Sequence, residues 1–201
     1  MTTFRLHLEQ MALRALGEFP DELISDIYVV TFRVDSVDQD PRHPYVAIGY
    51  NTETEVARLL AETSSSEPWE ARWNYAYFPP SGLEGIRIVG HHPEHDPVGA
   101  DLHRREAVVQ DLWYEDEDDL SEQEQDERDE QLAERFNALC VDLARQLHAD
   151  GRLVGVFGRP LPVILYNMFD PDEMFALTAA ANPPELVTEF MSEDPGAQPQ
   201  A

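Results

Sequence analysis

The chain has no lysine, one cysteine and no long apolar run. All fourteen bases among its 201 residues are therefore arginine. The single Cys140 excludes an internal disulfide and a zinc site built from several cysteines. No run approaches the roughly 18 apolar residues that a membrane span needs. The N-terminal sequence MTTFRLHLEQMALRALGEFP has neither a basic leader nor a continuous apolar core. We therefore expect no signal peptide and a cytoplasmic protein.

What the sequence has in excess is negative charge. Forty Asp and Glu residues oppose the fourteen arginines, so the formal net charge is -26 at pH 7. Such a charge opposes binding to nucleic acid or to an anionic membrane, because both are negative themselves. It favours a basic partner protein, but solubility and adaptation to high salt are equally compatible with it. These three interpretations remain open.

The spacing of apolar residues predicts helices over residues 4–17, 52–63 and 122–149. The β-branched and aromatic segments Ile27–Asp35 and YVAIGYNT are typical of strands. Three further apolar runs, GIRIVG, GRLVGVFG and LPVILYNMF, predict short strands, the last two as a hairpin. We therefore expect an α+β single domain over residues 1–191, with helices on a mostly antiparallel sheet of about five strands. The composition of residues 192–201 predicts a disordered tail.

Residues 115–130 are mostly Asp and Glu, with Arg128 as their only base. They predict an acidic loop that becomes the start of the longest helix, where Ser121 and Glu124 have the spacing of a capping box. An exposed aromatic residue beside acids is typical of a protein interface. The candidate partner-binding residues are Trp113, Tyr114, Asp116, Asp118 and Asp119. The alternative is that the aromatic residues only anchor the loop and the acids form a solvated surface.

The stretch GHHPEHDPVGADLHRR combines histidines with carboxylates, as metal sites and acid/base centres do. The candidate metal ligands are His91, His92 and His95, with Glu94 or Asp96. Pro93 and Pro97 oppose the helix that would align pairs of these imidazoles. We therefore expect that the three histidines do not converge, and we keep the metal site as an alternative.

No familiar catalytic motif is present. The sequence lacks a G-x-S-x-G nucleophile elbow, a phosphate-binding P-loop and a G-x-G-x-x-G dinucleotide motif. We therefore expect no cofactor. Arg72 lies between Trp69 and Trp73 in an aromatic-rich segment, and we interpret it as a structural arginine that stacks on aromatic rings or pairs with an acid.

The segments YVAIGYNTETEV and ARWNYAYF together resemble a bacterial family of small cytoplasmic α+β proteins of unknown function. The resemblance covers about residues 26–80, with weaker similarity over 131–168. Some such families lie near toxin–immunity loci. The resemblance therefore implies an immunity-type protein, and the family supplies no catalytic residues to carry over.

These observations lead to one interpretation and two rivals. The first is a non-catalytic, cytoplasmic protein that binds a basic partner protein, with an immunity-type inhibitor as its specific form. The second is a metal-dependent hydrolase that uses the His, Glu and Asp residues of 91–96. The third is a housekeeping domain with no binding or catalytic site. The sequence leaves the oligomeric state open.

Overall fold

A computed structural model of the chain describes residues 3–62, 67–79, 87–115, 120–168, 170 and 173–193. It has seven α-helices within these residues. They are α1 (Phe4–Leu16), α2 (Glu53–Glu62), α3 (Pro68–Trp73), α4 (Pro97–Val109), α5 (Glu122–Ala149), α6 (Arg152–Phe157) and α7 (Met174–Ala181). The strands are β1 (Ile27–Ser36), β2 (Pro44–Thr52), β3 (Arg87–Gly90) and β4 (Val163–Asn167). The expectation of an α+β domain is confirmed.

The sheet has four described strands in the order β3-β2-β1-β4, and it is mixed. β2 pairs antiparallel with β1 and with β3, whereas β4 pairs parallel to β1. The predictions of about five strands and of a hairpin after Gly151 are therefore wrong. The segment RLVGVF forms helix α6, because Gly151 and Gly158 both adopt left-handed backbone angles that bound one short helix.

Both faces of the sheet are covered. Alternate strand residues such as Val30, Ile48 and Leu165 belong to the core that α1 and α5 close on one face. Ile164 and Tyr166 belong to a second core on the other face, where α3 and the 3-10 helix Phe190–Glu193 contribute aromatic residues.

The longest helix follows its sequence signals closely. The Ser121 side chain accepts from the backbone N–H of Glu124, and the Glu124 carboxylate accepts from the backbone N–H of Ser121. This capping box satisfies two N–H groups that a helix start otherwise leaves unpaired. Helix α5 begins directly after Ser121, as predicted.

The described chain ends in the 3-10 helix Phe190–Glu193. Ser192 and Glu193 are therefore part of a helical turn, and the prediction of a tail that begins at residue 192 is wrong for these two residues. Residues 194–201 of the predicted tail lie outside the described residues. In the described part of the chain, no helix combines the length and the apolar character needed to cross a membrane.

Two side chains close the outer edge of β4: Thr178 lies in α7, and Asn182 directly follows that helix. Asn182 accepts from the Val163 N–H at 2.7 Å and donates to the Val163 carbonyl at 2.7 Å. Thr178 accepts from the Leu165 N–H at 3.1 Å. These bonds replace the strand that an edge lacks and remove a template for aggregation.

We expect Asn182→Ala to lower the free energy of unfolding by about 2–4 kcal/mol, because it leaves both buried Val163 groups without a partner. Urea denaturation measures the change. The exposed variant Gln131→Ala is the control and should stay within about 0.5 kcal/mol of the parent. An Asn182→Ala variant as stable as this control would contradict the edge-closing role.

Candidate functional site

The predicted partner-binding residues Trp113 and Tyr114 lie beside a small hydrophobic cluster near the surface. Tyr114 is buried, with 7% of its surface exposed, and Trp113 is half-buried beside the cluster of Ala107, Leu112 and Leu132. The indole N–H of Trp113 donates to Glu115 at 2.8 Å. Burial favours the anchoring alternative for Tyr114. A contact between these two residues and a partner stays a prediction.

Tyr114 is held by groups from two other elements. Its hydroxyl donates to Asp129 of α5 at 2.9 Å, and the Arg42 guanidinium lies 4.6 Å from its ring centroid. Arg42 also donates to the Tyr114 carbonyl at 3.1 Å and pairs with Asp40 at 2.7 Å. Burial, together with the bond to Asp129, raises the pKa of Tyr114 to about 12. The residue is therefore a neutral structural anchor that holds the acidic segment against the β1–β2 connection.

The remaining candidates in this segment are Asp116, Asp118 and Asp119, which lie outside the described residues. Beyond them, helix α5 starts with exposed acids, which are Glu122, Glu124, Asp126, Glu127, Glu130 and Glu134. Asp126, Glu130 and Glu134 recur every four residues and so lie on one face of the helix, about 6 Å apart along its axis. We call this face the acidic ridge.

The structure does not bring the three candidate metal ligands together in one group. His91 is buried and faces His103, with their Nδ1 atoms 3.0 Å apart. His92 instead contacts His95, with ring centroids 4.4 Å apart, and packs against Tyr45. Within the described residues, no group of three or more His, Cys, Asp or Glu side chains could hold a metal ion. The hydrolase alternative therefore gains no support from this geometry.

Asp96, the other candidate of this stretch, connects three elements. Its carboxylate caps α4 by accepting from the Gly99 N–H at 2.9 Å, and it accepts from the Gly90 N–H at 3.0 Å. His7 of α1 places Nε2 at 2.8 and 2.9 Å from the two carboxylate oxygens. A Cβ at position 99 would lie 2.3 Å from the Asp96 carboxylate, so only glycine fits this close approach. Asp96 is thus a structural link between α1, β3 and α4.

His91 and His103 form the centre of a buried imidazole cluster. The ring of His91 stacks on Trp113, with centroids 5.5 Å apart and planes at 17°, and meets the ring of His43 edge-on at 4.6 Å. Phe4 packs edge-on against His103 at 5.0 Å. Burial, followed by the charges of the neighbouring histidines, lowers the pKa of His91 to about 3 and of His103 to about 4. Both rings are therefore neutral at neutral pH.

We expect this cluster to make the fold sensitive to acid. The folded-state pKa values of His91 and His103 lie below the unfolded value of about 6.5, so the unfolded chain binds more protons as the pH falls. Their contribution to stability is fully present above about pH 6.5 and is lost as the pH falls toward their folded pKa values.

Between about pH 6.5 and 4, we expect the free energy of unfolding to fall less steeply with falling pH in His103→Gln than in the parent. The difference between the two slopes should be up to about 1.4 kcal/mol per pH unit. Urea denaturation at a series of pH values measures this slope. His95→Gln, which alters an exposed imidazole, is the matched control and should keep the parental slope. Equal slopes for all three proteins would exclude buried neutral histidines as the cause.

A second feature of the surface was not predicted. A groove of about 750 Å³ lies between α3, α7 and the 3-10 helix Phe190–Glu193. Next to it is a smaller cavity of about 230 Å³, which shares Trp69 and Met174 with the groove. The aromatic residues of the cavity wall are Trp69, Trp73, Tyr75 and Tyr166. We call the two together the aromatic groove.

The charged residues that line this groove are all acidic. They are Glu67, Glu70, Glu189 and Glu193, and all four are exposed. Arg72, which precedes the lining residue Trp73, pairs with Glu53 at 2.6 Å and stacks on the Tyr28 ring at 4.1 Å, which confirms its predicted structural role. It also lies 3.4 Å from Glu189. The groove thus combines aromatic walls with a negative rim.

The sequence did not predict the residues that join the histidine cluster and the aromatic groove from distant parts of the chain. His7 and His43 join the histidine stretch only through tertiary contacts, and no spacing signal marks them. The aromatic-rich segment around Trp69 was visible in the sequence. Its partners Met174 and Phe175 are more than one hundred positions away, so nothing local indicated a groove.

Comparisons with protein-family models, curated proteins and solved structures find no match for this chain.

Proposed function

We propose that the protein is a non-catalytic, cytoplasmic bacterial protein that binds a basic partner protein, with an immunity-type inhibitor as the specific form. The non-catalytic part of the proposal rests on the sequence, which lacks the nucleophile elbow, the P-loop and the dinucleotide motif. The bacterial origin and the immunity role rest on the resemblance of residues 26–80. The choice of a basic partner rests on charge.

The observation that carries this proposal is the acidic ridge of α5. Within the described residues, Asp126, Glu130 and Glu134 form no ion pair, and each is exposed. Elsewhere the exposed arginines are often engaged, for example Arg58 with Glu55 and Glu62, and Arg104 with Glu115. The ridge carboxylates are therefore available for a partner.

The arginines close to the ridge do not neutralise it. Arg128 donates to the Trp113 carbonyl at 3.2 Å and lies 3.7 Å from Asp111. Arg135 donates to the Gln110 side chain at 2.9 Å. Both guanidinium groups are thus directed to the end of α4. They attach α5 to its neighbour and leave the acids uncompensated.

A helix is also a suitable support for such a surface. The capping box and the Tyr114–Asp129 bond fix the start of α5, so the acids are held in place before a partner arrives. Fixed charge of one sign steers an oppositely charged protein and accelerates association, most strongly at low salt. An inhibitor that must capture a basic toxin quickly would use this property.

We expect the triple variant Asp126→Asn/Glu130→Gln/Glu134→Gln to lose most of its binding to basic proteins. The measurement is a pull-down from lysate of the source organism at low and at about 150 mM salt, with the recovered proteins identified by mass spectrometry. Recovery of a protein with a high isoelectric point, reduced by salt and by the triple variant, is the expected result.

The matched control removes three exposed acids elsewhere, as Glu22→Gln/Glu94→Gln/Glu185→Gln. It changes the net charge equally and should retain the partner. A pull-down without any basic protein at low salt would contradict the proposed function. Equal losses in the two triple variants would show that net charge alone, and not the ridge, attracts the partner.

A further inference from the structure

We infer that the aromatic groove is a binding site for a cationic side chain, arginine or lysine, presented by an extended basic segment of a partner protein. This inference rests on the proposed function, since it takes the partner to be basic. It goes beyond that function because it assigns a second contact, on the opposite face of the sheet from α5, and names the group that enters it.

The walls of the cavity are held in position before any ligand binds. The Trp69 indole N–H donates to the Phe190 carbonyl at 3.0 Å, and its ring stacks on Phe175 at 6.1 Å with planes at 27°. The Tyr166 hydroxyl donates to the Trp73 carbonyl at 2.6 Å. Because these rings are fixed by bonds and packing, binding costs little ordering of the site.

The chemistry of the walls suits a cation. Aromatic ring faces attract ammonium and guanidinium groups, most strongly when the cation is partly desolvated. The cavity walls include rings of two tryptophans and two tyrosines, namely Trp69, Trp73, Tyr75 and Tyr166. A cavity of about 230 Å³ accommodates one side chain with its aliphatic stem, which would pack on Met168 and Met174.

The rim of the groove supplies charge complementarity. Glu67 and Glu70 belong to the start of α3, and Glu189 and Glu193 lie near the C-terminal 3-10 helix on the other side. Among the lining residues described there is no arginine or histidine, and among the described ion pairs only Glu189 of the four rim acids has an internal cation nearby, Arg72 at 3.4 Å. Neighbouring basic residues of the same segment would pair with the rim acids.

The test is binding of a fluorophore-labelled oligo-arginine peptide to the full chain, measured by fluorescence anisotropy at about 150 mM salt. At this salt concentration the attraction between exposed charges more than about 8 Å apart is largely screened, whereas pairs in direct contact at the groove rim persist. We expect Trp69→Leu to weaken binding at least about tenfold, because the aromatic wall is removed without any change in charge. Tyr77→Leu alters an exposed aromatic residue that does not line the groove, and it should bind within about twofold of the parent.

A second pair of variants covers the possibility that Trp69→Leu does not fold. Glu67→Gln/Glu70→Gln changes two exposed rim acids and should weaken binding several-fold, whereas the charge-matched control Glu94→Gln/Glu185→Gln should not. Absence of peptide binding to the parent at this salt concentration would overturn the inference. Parental affinity in a folded Trp69→Leu, or in the rim double variant, would do the same.

The acidic-ridge triple variant separates the two proposals. If it loses the peptide while Trp69→Leu keeps it, the groove is not the site and the proposed function stands on the ridge alone. If Trp69→Leu loses the peptide but the pull-down recovers no basic protein, the groove binds cationic side chains and the proposed function is wrong.

Discussion

The hydrogen bonds of the Asp96 carboxylate are the interaction on which the placement of helix α4 and of the residues around it depends. The carboxylate accepts from the Gly90 and Gly99 backbone N–H groups and lies within hydrogen-bonding distance of His7. These contacts fix the start of α4 against β3 and α1. The direction of α4 then places His103 against His91, and His91 in turn supports Trp113, which precedes the acidic segment. One buried carboxylate thus sets the position of α4 and of the residues that lead into the acidic ridge.

The two proposed contacts lie on opposite faces of the sheet and differ in physical character. The acidic ridge is a fixed row of exposed carboxylates, so its effect is long-ranged and weakens with salt. The aromatic groove is short-ranged and partly buried, so it would discriminate between partners by shape and by cation–π attraction. A basic protein that uses both would be attracted by the first and held by the second.

The predicted strand at GRLVGVF and the predicted hairpin were wrong for identifiable physical reasons. The run GRLVGVF is apolar and rich in valine, which favours a strand, yet it forms α6 because glycines at both ends adopt left-handed angles that bound a helix. The run LPVILYN does form a strand, but it joins β1 in parallel after the long α5 instead of forming a hairpin. A local pattern indicates that a segment is apolar and short. It carries no information on which strand will be its neighbour.

The sequence by itself determined the elements whose signals are local: α1, β1, β2 and above all α5, with its capping box and acidic first turns. It also determined the net charge of -26, from which we predict that nucleic acid is not a partner. Only the tertiary structure decided which histidines meet, that Tyr114 is buried, and that an aromatic groove exists beside Trp69. The reason is physical. Helix caps and periodicity act within a few residues, whereas the histidine pairs and the groove depend on contacts between segments far apart in the chain, as His7 with Asp96 and Trp69 with Phe190 show.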